Sequence, residues 1–203
     1  MKNRILVLFL SITTLVSCSK DTNSTENFTD PTTTNLRASN YTSDPNFLTL
    51  VDNYSALAEK IWFGADDYKE PPGNLNTEVV LLMAGFSKLE EFRAFQRENS
   101  ELYYRIVADY NLESKVQLQE LSSKLVDKSK DELLTRYPRM KSCAWTMFGC
   151  LIDAVVSFAE DLDDIGGIGC EWNPGSECWE AMLTLEADAL WTMQGCIESY
   201  LEC

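Results

Sequence analysis

The sequence predicts an all-α fold, a small helical domain followed by an antiparallel helical hairpin stapled by disulfides. Three observations lead there. Apolar residues recur at three- and four-residue spacing from Pro45 onward. No stretch alternates with period two for long, and β-branched clusters are scarce beyond the first 45 residues. Six of the seven cysteines fall in the last 61 residues, at spacings that two facing helices can join.

Residues 1–17 read as a signal peptide. Lys2 and Arg4 precede the apolar run Ile5-Leu6-Val7-Leu8-Phe9-Leu10, and a small residue, Ser17, stands before Cys18. This segment is too short to span a bilayer as a helix. Leu15-Val16-Ser17-Cys18 resembles the lipobox of bacterial lipoproteins. The resemblance implies cleavage before Cys18, acylation of its sulfur and its new amino group, and a lipid bilayer as the first partner. Ser19 at the following position implies, by the same resemblance, sorting to an outer membrane, so the expected location is the cell envelope, with periplasmic and surface faces both open. Residues 18–45 form a tether: from 19 to 45 there are seven Thr, four Ser and four Asn, too little apolar surface to offset the entropy of ordering.

The helical domain is expected over 46–140. Asp44-Pro45 makes a cap and first-turn pair for a helix whose inner face is Phe47, Leu50, Val51, Tyr54, Leu57, Ala58 and Ile61, closed by Gly64 and the Pro71-Pro72-Gly73 turn. Asn76 or Thr77 caps a second run through Val79, Val80, Leu82, Met83 and Phe86. Ser87-Lys88-Leu89-Glu90 has the form of a capping box and opens a third, with Phe92 and Phe95 inward. Asn99 or Ser100 caps a fourth, with Tyr103, Ile106, Val107 and Tyr110 on one side. A fifth runs from Leu112 to Lys128, and a short one precedes Tyr137-Pro138.

The hairpin is expected over 141–203. An even number of cysteines in an exported chain argues for disulfides. In two antiparallel helices, facing residues keep a constant sum of sequence numbers. That sum is 346 for Cys143 with Cys203 and for Cys150 with Cys196, and 348 for Cys170 with Cys178, so all three pairs fit one nested hairpin. The apolar pattern agrees: Met147, Ala154 and Phe158 share a face with the first two cysteines, and Met182, Ala189, Met193 and Tyr200 share the facing one. The arrangement resembles the helical hairpins of plant defence peptides, held by two parallel disulfides. The layout of lipobox, polar tether, helical middle and Cys-rich tail is similar to that of the fulvocin C-related bacteriocins of Bacteroidota.

Composition bounds the function. The formal charge is −15, and nearer −17 once Lys2 and Arg4 are removed, which excludes nucleic acid as a natural partner. There is no histidine, which excludes Ser-His-Asp and Cys-His catalysis and His-ligated zinc. No Cys-x-x-Cys occurs and no carboxylate pair is marked for hydrolysis, so no metal, no cofactor and no catalytic residue is expected. The acidic run from Glu160 to Asp164 lacks the spacing of a calcium loop and reads better as a solvated helix end. Phe92, Phe95, Tyr103 and Tyr104 read better as core than as a ligand cleft.

The expected function is therefore a non-catalytic binding or envelope accessory module whose partner is a protein or glycan. Four of the five tryptophans lie in the tail, at Trp145, Trp172, Trp179 and Trp191. Trp172, Asn173 and Pro174, in the loop closed by Cys170 and Cys178, together with Trp179 just beyond it, are the candidate binding residues. For Trp145, Trp179 and Trp191 the competing role is packing between hairpin and domain. Two alternatives stand beside this one. A bacteriocin-like toxin would use the apolar segment 143–159, freed by processing at Arg136, Arg139 or Lys141, although twelve acids and no Lys or Arg from Cys143 to Cys203 argue against attack on anionic lipid. A protease inhibitor would use the Cys170–Cys178 loop, which resembles the Bowman–Birk reactive loop in size and implies Trp172 in a specificity pocket, but lacks that family's Ser and Pro-Pro placement.

Overall fold

Six helices carry the described chain, which in the computed structural model comprises residues 41–165 and 178–203. They are α1 (Pro45–Asp67), α2 (Thr77–Met83), α3 (Leu89–Asp109), α4 (Lys115–Arg136), α5 (Ser142–Asp164) and α6 (Trp179–Leu201). Among the described residues there is no strand. The signal peptide, lipobox cysteine and tether up to Asn40, and the loop from Gly166 to Glu177 with Cys170, Trp172, Asn173 and Pro174, lie outside them.

α1 begins as its cap dictates. The Asp44 carboxylate accepts from the Asn46 N–H at 2.7 Å with Pro45 in the first turn. All seven residues read as its inner face are buried. Gly64 does not close it: the helix continues three residues further, and a Cβ at Gly64 would stand 2.8 Å from Cβ and Cγ of Met83. The glycine is there to let α2 approach, not to stop α1. Asn76 caps α2 through the Val79 N–H at 3.1 Å. α2 ends at Gly85 (φ +85°), where Phe86 N–H closes onto Leu81 O at 2.8 Å in the manner of a Schellman turn. Leu82, read as inward, is instead 65% exposed, and Leu81 takes the buried position.

α3 and α4 are each longer than expected. The Ser87 capping box does not form as written, since Lys88 is the cap residue and makes no side-chain bond, while Glu91 accepts from both Ser87 N–H and Ser87 O–H. Asn99 and Ser100 do not begin a new helix but lie buried inside α3. Asn99 can do so because its amide donates back to Phe95 O at 2.6 Å and its oxygen accepts from Asn53 at 2.8 Å, which satisfies the polar group within the helix. α3 ends at Asn111 (φ +52°), with Leu112 N–H onto Val107 O. α4 opens with a capping box of Ser114 and Gln117 and runs unbroken to Arg136, stopped by Pro138, which holds Tyr137 out of the helical region.

α1 and α5 occupy the centre. α1 packs against the other five helices, and α5 against α1, α3, α4 and α6. α5 is apolar nearly all round, burying Met147, Phe148, Leu151, Ile152, Val155, Val156, Phe158, Ala159 and Leu162, as a central helix must. Ser142–Leu162 has the length and hydropathy of a membrane span, but 56% of its apolar window is buried inside the protein. α6 runs back along α5, and the pairs with a sum of 346 are joined: Cys143 to Cys203 and Cys150 to Cys196, with Cα separations of 6.3 and 5.8 Å. Cys178 is also disulfide-bonded; its expected partner, Cys170, is outside the described residues. One hydrophobic core, from Tyr41 to Ile197, is shared by the helical domain and the hairpin.

Buried polar groups tie the helices in pairs. Ser55 Oγ donates to Ser129 O and Ser129 Oγ to Val51 O, locking α1 to α4. Tyr104 O–H donates to Ala159 O at 3.0 Å between α3 and α5. Arg93 of α3 makes a two-pronged pair with Glu186 of α6 at 2.7 and 3.0 Å, and Glu186 is only 4% exposed.

Candidate functional site

A groove of about 470 Å³ lies where the C-terminal part of α1, the α4–α5 turn and the C-terminal part of α6 meet. Each element brings its contribution for a local reason. α1 delivers Trp62 and, by continuing past Gly64, Asp66. Pro138 ends α4 and forces the turn Tyr137-Pro138-Arg139-Met140-Lys141, pinned by Met140 N–H onto Tyr137 O at 3.2 Å. The Cys143–Cys203 bridge fastens the last turn of α6 to the first of α5 and so fixes Tyr200 at the groove.

The wall of the groove is aromatic and already packed. Trp62 stands edge-on to Tyr137 (centroids 5.1 Å) and Phe148 (5.6 Å) and stacks on Phe63 (5.0 Å). Its polar edges are joined in a chain: Trp62 Nε1–H donates to Tyr200 Oη at 3.2 Å, and Tyr200 O–H donates to Asp66 at 2.9 Å. Tyr137 O–H donates to Glu59, which also accepts from Arg136 at 2.8 Å. Both phenols are held above the ordinary tyrosine range, Tyr200 by burial and then by its bond to Asp66, Tyr137 by its bond to Glu59 and then by burial. They are neutral donors at any physiological pH.

Three basic residues stand at this groove, but they are not equivalent. Arg136 is already matched by Glu59 and Glu132. Arg139 and Lys141 are exposed and make no ion pair among the described residues. In the sequence these three read as a processing site that would free the hairpin. In the fold, the segment beyond them begins α5, whose apolar face is the core of the bundle.

The residues singled out from the sequence fall elsewhere. Trp179 is half-buried, with the Arg93 guanidinium 5.2 Å from its ring centroid, and so serves the junction of α3 and α6. Trp145 is likewise covered, by Lys130 at 5.2 Å. Trp191 departs from the packing role considered for it: it is 77% exposed, on a face of α6 shared with Thr184, Asp188, Thr192, Gly195 and Ser199. It borders a second groove of about 460 Å³ lined by α2, α3 and α6, where Arg93 is committed to Glu186. Phe92, Tyr103 and Tyr104 are core, as the sequence favoured. Trp62, Asp66 and Tyr200 were missed, and only their convergence in the fold marks them, because some 134 residues separate Asp66 from Tyr200.

Comparison with known proteins finds no family model, no curated protein and no solved structure that matches the chain.

Proposed function

We propose that the protein is an exported lipoprotein of the cell envelope, held at an outer membrane by acylated Cys18, whose stapled helical bundle acts as a non-catalytic binding module through the groove between α1, the α4–α5 turn and α6. The observation that carries the reading is the meeting, in one groove, of a pre-packed aromatic wall with two cations, Arg139 and Lys141, that make no ion pair among the described residues. Fixed aromatic surface binds at little cost in ordering, and nearby charge gives orientation. Burial of α5 in the core argues against its release as a bacteriocin-like toxin. A tether of polar residues ahead of Tyr41 suits a module that works away from the lipid surface.

The test has two parts. Mass analysis of the natively exported protein is expected to find an acylated peptide beginning at Cys18. The immobilised protein is then exposed to envelope extract, and the material retained by wild type is expected to be lost with Tyr200→Ala and kept with Trp191→Ala. Retention unaffected by Tyr200→Ala overturns the assignment of the groove, and loss with Trp191→Ala alone moves the site to the second groove.

A further inference from the structure

Resting on the reading of the groove as the binding site, we infer that its ligand is an acidic sugar residue, a ring bearing a carboxylate. The carboxylate sits at Arg139 and Lys141, the ring lies against the wall of Trp62, Tyr137 and Tyr200, and a ring hydroxyl donates to Asp66.

The charge argument comes first. Of the three cations at the groove, Arg136 is compensated by two carboxylates, so a ligand gains nothing from it without displacing Glu59 or Glu132. Arg139 and Lys141, two residues apart on a turn fixed by Pro138, have no such partner among the described residues. In a chain of formal charge −15, an anion approaching from solution is repelled over most of the surface and meets uncommitted positive charge at this rim.

The hydrogen-bonding argument selects the ligand's other groups. The O–H of Tyr200 is spent on Asp66, the O–H of Tyr137 on Glu59, and the N–H of Trp62 on Tyr200. The wall therefore offers apolar ring surface and acceptor oxygen, with no free donor among these three. A carboxylate set against Asp66 would be repelled, so it is oriented toward the turn; a hydroxyl, which donates, is welcome there. A ligand needs an apolar face, a hydroxyl and a carboxylate on one small frame, which is the chemistry of a uronic acid. The volume of about 470 Å³ lies within the range of small-ligand sites.

The chain enters the bundle at Tyr41, beside the start of α1, and Trp62 lies 17 residues along that helix from Pro45, roughly 25 Å away. The groove is thus at the end of α1 remote from Tyr41.

The experiment is calorimetry and tryptophan fluorescence on the folded, oxidised protein with trigalacturonate, its methyl ester and phenylacetate. Trigalacturonate is expected to bind with submillimolar Kd and the uncharged ester at least about tenfold more weakly, with the difference shrinking at high salt. Arg139→Gln/Lys141→Gln, which touches two exposed side chains outside the core, is expected to lower trigalacturonate affinity at least about tenfold and leave that of the ester unchanged. Equal affinity for acid and ester, or an unchanged Kd in the double variant, overturns the inference. Tighter binding of phenylacetate than of trigalacturonate overturns the sugar class. If no probe binds up to about 10 mM while Tyr200→Ala still abolishes retention of envelope material, the inference falls and the groove remains the binding site; if Tyr200→Ala leaves retention intact as well, both fall.

Discussion

In the hairpin, α5 and α6 are joined by two disulfides and carry no Lys or Arg from Ser142 onward, whereas the helices from 46 to 140 contain no cysteine and interleave 12 basic with 16 acidic residues. The reason lies in how each part is covered. α1 is surrounded by five helices and needs no covalent help. α6 packs chiefly on α5, with smaller contacts to α1 and α2, and its outer face of Thr184, Asp188, Thr192, Gly195 and Ser199 around Trp191 is exposed. A helix with half its circumference idle gains less from burial, and cross-links that restrict the unfolded chain make up part of the difference. The comparison teaches that the staples reinforce the packing of α6 on α5, while α5, aided by the Arg93–Glu186 pair and the Trp62–Tyr200 bond, secures the hairpin to the other helices.

That division can be broken most directly by cutting it. Residues 142–203 produced alone and oxidised are expected to fail as a soluble, folded monomer, because Phe148, Leu151, Ile152, Val155 and Val156 would lose α1, α3 and α4. Strong binding of a hydrophobic dye, or aggregation in sizing chromatography, is the expected readout. A monodisperse helical fragment with cooperative melting would mean that the hairpin is an independent module after all. For the same reason, trypsin cleavage after Arg139 or Lys141 in the intact protein should leave both fragments together until the chain is unfolded.

The staples come next in size. The bridges close loops with sequence separations of 60 and 46. Either alone is worth about 4 kcal/mol by the chain-entropy argument, and the second adds less because the first already confines it. Replacing Cys150 and Cys196 by Ala is expected to lower the urea midpoint with the remaining bridge intact, and replacing all four cysteines to lower it further. The Cys143–Cys203 pair should also matter to the groove, since it fixes the turn that carries Tyr200. Its loss should weaken ligand retention more than the loss of Cys150–Cys196, at comparable cost in stability.

A smaller effect tests the non-covalent link between the parts. Glu186→Gln removes the charge from a carboxylate 4% exposed and leaves Arg93, 22% exposed at its side chain, to be rehydrated from one side. A loss of about 2 kcal/mol is expected in chemical denaturation. The control is Glu120→Gln, whose pair with Lys124 is half-exposed on both sides, with an expected loss below about 0.5 kcal/mol. Equal effects would show that burial does not distinguish the bridging pair from a surface one.

What the sequence made legible follows the same line. The face of α1 and the register of α5 on α6 are local or arithmetic patterns, and they appear in the fold as read. In the sequence α3 reads as two helices because Asn99 and Ser100 look like caps. The bond from Asn99 to Asn53, 46 residues away, is what lets a polar residue stay inside the helix. Gly64 reads as a stop in the sequence because the approach of Met83 that requires it is a tertiary contact. The groove was visible only as a basic cluster near Pro138. Its aromatic wall is assembled from α1, the α4–α5 turn and α6, and no spacing in the sequence joins Trp62 to Tyr200.

The finest test concerns a group in the domain that has no counterpart among the described residues of the hairpin. Tyr54 is 1% exposed at the centre of α1, its hydroxyl meets no hydrogen-bond partner among the described residues, and burial, with a smaller contribution from Tyr103, pushes its ionisation well above the ordinary tyrosine range. A buried hydroxyl without a bond costs free energy that a phenylalanine of the same shape does not. Tyr54→Phe is expected to raise stability at neutral pH by about 1 kcal/mol. The pH dependence carries the sign. A tyrosine whose folded value lies above its unfolded value of about 10 gives its full stability below that pH, and the contribution is lost as pH climbs from there toward the folded value, because only the unfolded chain releases the proton. Wild type should therefore weaken above about pH 10, and Tyr54→Phe should weaken less over the same interval. A variant that is less stable at neutral pH, or that follows the wild-type alkaline slope, would mean that the hydroxyl is satisfied in solution and that the centre of the domain holds a polar contact of its own.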